Sequence, residues 1–293
     1  MRAAGLAGGA GHIGSGNQCG WRHGPVVSTA WPNFRYEEID EVATITFTRP
    51  ERLNALTFEV YADLRLLTAE LRERADAVRV LVIRGEGRGF CSGGDVEAII
   101  GQLVKADTRR IYEFARLTGA CVRNLREMPQ PVIASVNGVA AGAGAVIALA
   151  ADFRMLASSA RFEFLFTRVG LSGGDMGACW FLPRIVGAGR ATEILMLAEG
   201  IDAQTALDIG LANQVAEEDQ LDDAVLDLLG RLKSRAPWGL AMTKEMLNRA
   251  SSMDYSSAIE MEAWTQTLLM TSEDFREFYH GFSEERDVRY SGR

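Results

Sequence analysis

An α/β fold, with a core of alternating strands and helices and an all-helical end, is the class this sequence predicts, on three observations. Apolar runs with strand character stand at 42–48, 78–85 and 131–138, the first and last of them followed by text that reads as helix. Composition does not change between about 33 and 230, and after about 230 the strand pattern stops while apolar residues continue at helical spacing. With 293 residues, 47% of them hydrophobic and 24% charged, the chain is long and apolar enough to bury a full core.

The elements follow in order. VATITFT (42–48) sets Ala43, Ile45 and Phe47 against threonines, the period of a strand with one apolar face. Pro50 in RPERLNAL breaks it, and Thr57 is placed to cap the helix FEVYADLRLLTAELRERAD, on which Phe58, Tyr61, Leu64, Leu67 and Leu71 fall at helical spacing. VRVLVIRG (78–85) is apolar almost throughout, as a strand covered on both faces is. PVIASVNG (131–138) repeats that text, AGAVIALAAD follows as a small-residue helix, and FRML and ARFEFLF read as two further strands. GRATEILMLAEG is an amphipathic helix, and ALDIGLANQVA reads as helix, glycine stop, then strand. From Pro237 to about Glu285, Trp238, Leu240, Met242, Met246, Leu247, Trp264, Leu268 and the segment Phe275–Tyr279 supply the apolar side of a helical tail. The expected organisation is a flexible extension over 1–32, one core over 33–230 and a C-terminal helical region over 231–293.

Composition excludes several classes of function. Acidic residues outnumber basic ones by 39 to 31, a formal charge of −8, so a nucleic-acid partner is not expected. The four cysteines, Cys19, Cys91, Cys121 and Cys179, form no CxxC pair, which argues against a metal knuckle or a disulfide framework and for a reducing, cytoplasmic setting. The three histidines, His12, His23 and His280, lie outside the apolar body, so neither a buried histidine base nor a His-rich metal site is expected. No apolar run reaches the roughly 18 residues of a membrane span. GAGHIG (9–14) matches a dinucleotide fingerprint in letters only, because no strand text precedes it and no helix text follows.

Two segments carry chemistry. RGFCSGGDV (88–96) and VNGVAAGAGAVIALAAD (136–152) both read as strand, glycines, then the start of a helix, where unpaired N–H groups and the helix dipole favour negative charge. Together they resemble the two active-site segments of the enoyl-CoA hydratase/isomerase, or crotonase, superfamily. RPERLNALT, LPRIVGAGRATEIL and ALDIGLANQVA fit the same family in the same order, so the resemblance covers roughly 33–293. It implies a spiral of ββα units with a C-terminal helical region, assembled as homotrimers or dimers of trimers. It also implies an acyl-CoA thioester as substrate, coenzyme A being part of that substrate and no separate cofactor being needed. By position in the family motif, the backbone N–H groups of Gly94 and Ala143 are the two donors of an oxyanion hole for a thioester enolate. The same resemblance puts Arg52, Asn54 and Ala55 at the nucleotide end of coenzyme A, and Asp95 and Val96 near the pantetheine turn.

The sequence departs from the hydratase pattern where water would be activated. Val146 and Phe166 stand where hydratases of the family carry their two glutamates, and neither side chain moves a proton. Asp175, in the glycine turn GLSGGDMGAC, lies where dienoyl-CoA isomerases and aromatic acyl-CoA dehalogenases of the family carry a functional aspartate. It is the candidate acid or base, its carboxyl raised by an apolar pocket of Val146, Phe164, Phe166 and Trp180 if those side chains line it. These aromatic residues hint at a bulky acyl group, with core packing as the plainer role. Other roles for Asp175 stay open: a cap on the helix MGACWFLPRIVG, a nucleophile forming an acyl or aryl ester, or a partner of Arg168. With both glutamates missing, a catalytically silent acyl-CoA binder is a further alternative. Cys91 and Ser92 have no histidine to activate them, and Glu163, alternating with Phe162 and Phe164, points away from their face of the strand.

Overall fold

The computed structural model describes residues 31–293, so GAGHIG and nearly all of the expected extension lie outside the described residues. The chain begins with an antiparallel pair, β1 (Arg35–Ile39) and β2 (Val42–Phe47), and continues through α1 (Phe58–Arg72) into β3 (Val80–Gly85) and β4 (Gly89–Cys91). A π-helical segment, Val96–Ile100, leads through the short α2 (Gly101–Leu103) to α3 (Thr108–Glu127). Then come β5 (Val132–Val136), β6 (Val139–Ala141), α4 (Ala143–Ala150), β7 (Phe153–Ala157) and β8 (Arg161–Glu163). A 3₁₀ segment, Leu165–Val169, precedes α5 (Ala178–Val186) and α6 (Ala188–Leu197). After β9 (Ile201–Asp202), α7 (Ala203–Asp208) and β10 (Gln214–Ala216), the rest is helical: α8 (Leu221–Lys233), α9 (Pro237–Ala250), α10 (Tyr255–Met270) and α11 (Glu273–Ser283).

The strands form two sheets, one ordered β1-β2-β3-β5-β7-β10 and one ordered β4-β6-β8-β9. Each of the pairs β3/β4, β5/β6 and β7/β8 sends its first strand to the six-stranded sheet and its second to the four-stranded sheet. Within each sheet these neighbours run parallel. Repetition of one strand up and one strand across, with helices between, gives the spiral of ββα units that the family resemblance implies. Its consequence for function is geometric. The loops after β4 and β6, sequence-distant by some fifty residues, leave adjacent strands on the same side.

Several elements differ from the sequence reading, each for a packing reason. β2 is buried along its whole length, Thr46 included, because it lies between β1 and β3 rather than at a solvated surface. β1 is an edge strand, RYEEI, whose charged side chains hide it in the sequence and suit an edge. α3 went unread because only Thr118, Cys121, Val122 and Leu125 of its twenty residues are buried. The strand expected over ARFEFLF ends at Glu163, and the chain turns there into the 3₁₀ segment. Finally, α8 runs through the expected 230/231 boundary and presses Leu221, Val225, Leu228, Leu229 and Leu232 into the core. Of the three helices after it, α9 buries only Lys244, α10 nothing and α11 only Asp274 and Gly281.

Candidate active site

The glycine turns after β4 and β6 meet. A Cβ on Gly93 would lie 2.9 Å from the Ala141 carbonyl oxygen and 3.4 Å from the Ala143 nitrogen, and Gly93 has φ +92°, so only glycine fits there without strain. A Cβ on Gly144 would lie 2.2 Å from the Cys91 carbonyl oxygen. The two absent side chains are what allow the start of α4 to close against the end of β4.

At this junction the N–H groups of Gly94 and Ala143 have no acceptor among the described residues, whereas those on either side are used. Leu56 N–H donates to the Gly93 oxygen at 2.8 Å and Asp95 N–H to the Leu56 oxygen at 2.8 Å, which straps residues 53–56 along the Gly94 segment. Gly142, at φ +50°, donates to the Glu163 oxygen at 2.8 Å and turns Ala143 into the first residue of α4, with no side chain capping the helix. Ala143 therefore begins a helix whose first N–H groups are unpaired by construction. Two backbone donors without acceptors among the described residues thus stand on adjoining loops.

Asp175, on the turn before α5, comes within electrostatic range of Tyr61, as does Cys91 at the end of β4. Asp175 is half-buried, and burial raises its carboxyl above the ordinary aspartate range, an effect only partly offset by the Met176 N–H. It does not cap α5: the cap residue is Gly177, no side chain bonds the helix start, and it is the Asp175 backbone oxygen that accepts from Ala178 N–H at 2.8 Å. Nor does it pair with Arg168, which is exposed. The helix-cap and ion-pair alternatives for this side chain are thus corrected, because glycine at 177 starts the helix two residues later.

Other expected residues fall into three groups. Val146, Phe164 and Phe166 are buried, Phe164 stacking on Phe162 at 6.3 Å. Asn54 and Asp95 are occupied structurally. Asn54 Nδ2 donates to the Glu86 and Gly89 oxygens at 2.9 and 2.7 Å, and its Oδ1 accepts from Arg49 N–H at 2.9 Å. Asp95 caps the π-helical segment through the Glu97 and Ala98 N–H groups and pairs with Arg49 at 2.9 Å. Their side chains hold the loop rather than reaching from it. Arg52 is largely exposed and 3.7 Å from Glu97, Ala55 is buried and Val96 is exposed. Trp180 is a correction: it lies on the wall of a separate cavity with Arg126, Asp152, Arg154 and Lys244, and Arg184 stacks over its ring at 4.2 Å.

The sequence reading missed Tyr61. Taken as one more apolar residue of α1, it packs edge-on against Phe114 at 5.6 Å, and its hydroxyl makes no hydrogen bond among the described residues. Asp175 and Cys91 both lie within electrostatic range of it. Cys91, whose thiol burial pushes up to about 12, is unsuited to act as a nucleophile. Among the described residues no three His, Cys, Asp or Glu side chains gather as metal ligands, and no helix is long and apolar enough to cross a membrane.

Residues 37–293 match the family described as enoyl-CoA hydratase/isomerase. The chain belongs to that family. It is 34% identical over 252 residues to the 1,2-epoxyphenylacetyl-CoA isomerase of Escherichia coli K12, covering 86% of this chain and 95% of that protein. The trans-2-decenoyl-[acyl-carrier-protein] isomerase of Streptococcus mutans is 30% identical over 258 residues, covering 88% of this chain and 97% of that one. A crystal structure of a candidate enoyl-CoA hydratase from Streptomyces coelicolor A3(2) superposes with a TM-score of 0.88 at 52% identity, covering 95% of this chain and all of the other. These relatives include enzymes named for isomerisation as well as for hydration, so membership of this enzyme family fixes the class of chemistry and not the reaction.

Proposed function

We propose that this enzyme isomerises an acyl-CoA thioester, with Asp175 as the proton carrier and the Gly94 and Ala143 N–H groups holding the enolate oxygen. The Asp175 carboxylate takes a proton from a carbon of the acyl chain and the electron pair moves to the thioester oxygen. The carboxylic acid so formed returns the proton to another carbon, the double bond shifts, and no co-reactant is consumed. The observation that carries the reading is a half-buried carboxylate with a raised carboxyl and no cation paired to it, in a chain with Val146 and Phe166 at the glutamate positions. A single acid suits proton return better than activation of water. The isomerases among the relatives support the same choice.

Coenzyme A enters as part of the substrate, and the reading needs no further cofactor. The working assembly is a homotrimer or a dimer of trimers in the cytoplasm, supported by large apolar side chains exposed on α10 and α11, Trp264, Leu268, Phe278 and Phe282 among them. The test is incubation with a panel of aliphatic and aromatic enoyl-CoA thioesters in D₂O, following deuterium uptake and product mass, beside Asp175→Asn. Exchange lost in the variant supports the proton carrier. An ester on Asp175 by intact mass would instead make it a nucleophile, and tight binding without exchange in either protein would make the chain a silent binder.

A further inference from the structure

At the far end of α4 from Ala143 lies a second cavity, of about 570 Å³, between the end of α3, α5 and α9. It is lined by four cations, Arg126, Arg154, Arg184 and Lys244, and by one carboxylate, Asp152. That carboxylate is fully engaged: Lys244 Nζ lies 2.7 Å from Oδ2, Arg126 Nη1 3.3 Å from Oδ1, and Val132 N–H donates to Oδ2 at 2.8 Å. Among the described residues neither Arg154 nor Arg184 forms an ion pair, although Asp152 attracts Arg154 at longer range. Arg154 is nine-tenths buried and donates through Nε to the Leu211 oxygen and through Nη1 to the Ala151 oxygen, both at 2.6 Å, while Nη2 donates to nothing among the described residues. Burial pushes its guanidinium down to about 10, against the opposing pull of the Asp152 carboxylate and with a smaller contribution from Arg126.

A second observation points the same way. Of the three buried side-chain polar atoms without a partner in the described residues, Arg126 Nε, Gln130 Oε1 and Asn248 Oδ1, the first belongs to a residue lining this cavity. Buried polar atoms are rarely left unpaired, and the Arg126 Nε is a donor on this wall that a guest's oxygen could meet. The remaining lining is apolar: Trp180, Phe181, Ile185, Leu240 and Leu247.

We propose that this cavity is a second binding site, distinct from the acyl-CoA site, for an organic carboxylate with an apolar body. The carboxylate sits between Arg154 and Arg184, and the body lies against Trp180, Phe181 and Leu247. Arg184, exposed at the rim and stacked on Trp180, gives the guest a first charge to meet, and Arg154 gives it a buried donor. The volume is that of a small-molecule site rather than of a bound water or lone ion.

The test is calorimetric titration of the full chain with octanoate, with 1-octanol as the uncharged match and inorganic phosphate as the anion without a body, repeated on Arg184→Ala. Octanoate binding at least about tenfold tighter than octanol or phosphate, and weakened about tenfold or more in Arg184→Ala, supports the site. Equal binding of octanol, or octanoate binding unchanged in Arg184→Ala, overturns it, because the acyl-CoA site does not include Arg184. Phosphate binding as tightly as octanoate overturns the carboxylate assignment. No octanoate binding, with an association state that changes in Arg184→Ala, overturns it in favour of a contact between copies of the chain.

Discussion

Gly144→Ala is the sharpest perturbation of the proposed oxyanion hole, because it alters the junction without touching a donor. The added methyl would meet the Cys91 carbonyl oxygen at 2.2 Å, its Cβ at 2.7 Å and its carbonyl carbon at 2.9 Å, all rigid backbone or near it. Nothing there can swing aside, so α4 and the end of β4 must separate by about an ångström, and Ala143 N–H and Gly94 N–H separate with them. Overpacking of this kind costs about 1–3 kcal/mol, and alanine in place of glycine in a helix returns about 1 kcal/mol. Net stability should therefore fall by no more than about 2 kcal/mol, a loss of several degrees in melting temperature. Misplacing one donor of an oxyanion hole raises the barrier by about 2.7–4 kcal/mol, or roughly 10²- to 10³-fold in kcat. Catalysis should thus suffer far more than folding. The assay is solvent-deuterium exchange into an enoyl-CoA thioester, read beside a thermal melt, with Gly119→Ala as control since a methyl there meets nothing within 4 Å. A folded Gly144→Ala protein exchanging within threefold of the parent would refute the reasoning, since the close approach would then have no bearing on the donors.

Further outcomes follow from the same geometry. Asp175 has a raised carboxyl in the folded chain, so its contribution to stability is present below the unfolded value and is lost as pH rises through the folded one. Asp175→Asn should melt above the parent at pH 7–8, with the difference vanishing toward pH 3, and the exchange rate of the parent should rise with pH through the raised value. Asp95 is the opposite case: the Ala98 N–H and Arg49 lower its carboxyl, so stability it confers above the unfolded value is lost as pH falls. Asp95→Ala should cost about 0.5–2 kcal/mol as a lost cap, seen in urea midpoints at pH 7 and shrinking at pH 3. Lys244→Ala removes a buried cation and leaves the largely buried Asp152 with Arg126 as its remaining ion-pair partner, which should cost up to about 3–5 kcal/mol, far above the near-zero effect expected for Arg109→Ala, whose pair with Glu113 is exposed.

Much of the core was legible because its strands are apolar on both faces, α1 carries clear helical spacing and α4 is a run of small apolar residues throughout. What stayed hidden was hidden for physical reasons. β1 and α3 present mostly polar text because one is an edge and the other shows a narrow buried stripe. Asn54 and Asp95 looked like contacts of a ligand, yet a short polar side chain in a tight loop is first claimed by the nearest backbone N–H and C=O groups, as both are. Trp180 was grouped with Phe164 and Phe166 by sequence proximity, but its place on α5 turns it toward Arg184 and the second cavity.

The residues by themselves determined the α/β class, the family, the absence of both hydratase glutamates and the candidacy of Asp175, since each rests on residue type at a given spacing. Tertiary structure decided that the Gly94 and Ala143 N–H groups lie on adjoining turns without acceptors among the described residues, that Gly177 rather than Asp175 starts α5, and that Tyr61 comes within range of Asp175. It also gathered Arg126, Asp152, Arg154, Arg184 and Lys244 around one cavity from positions over a hundred residues apart. Local spacing is written along the chain; which N–H finds a partner, and which charges share a space, depends on contacts between segments that only the folded spiral brings together.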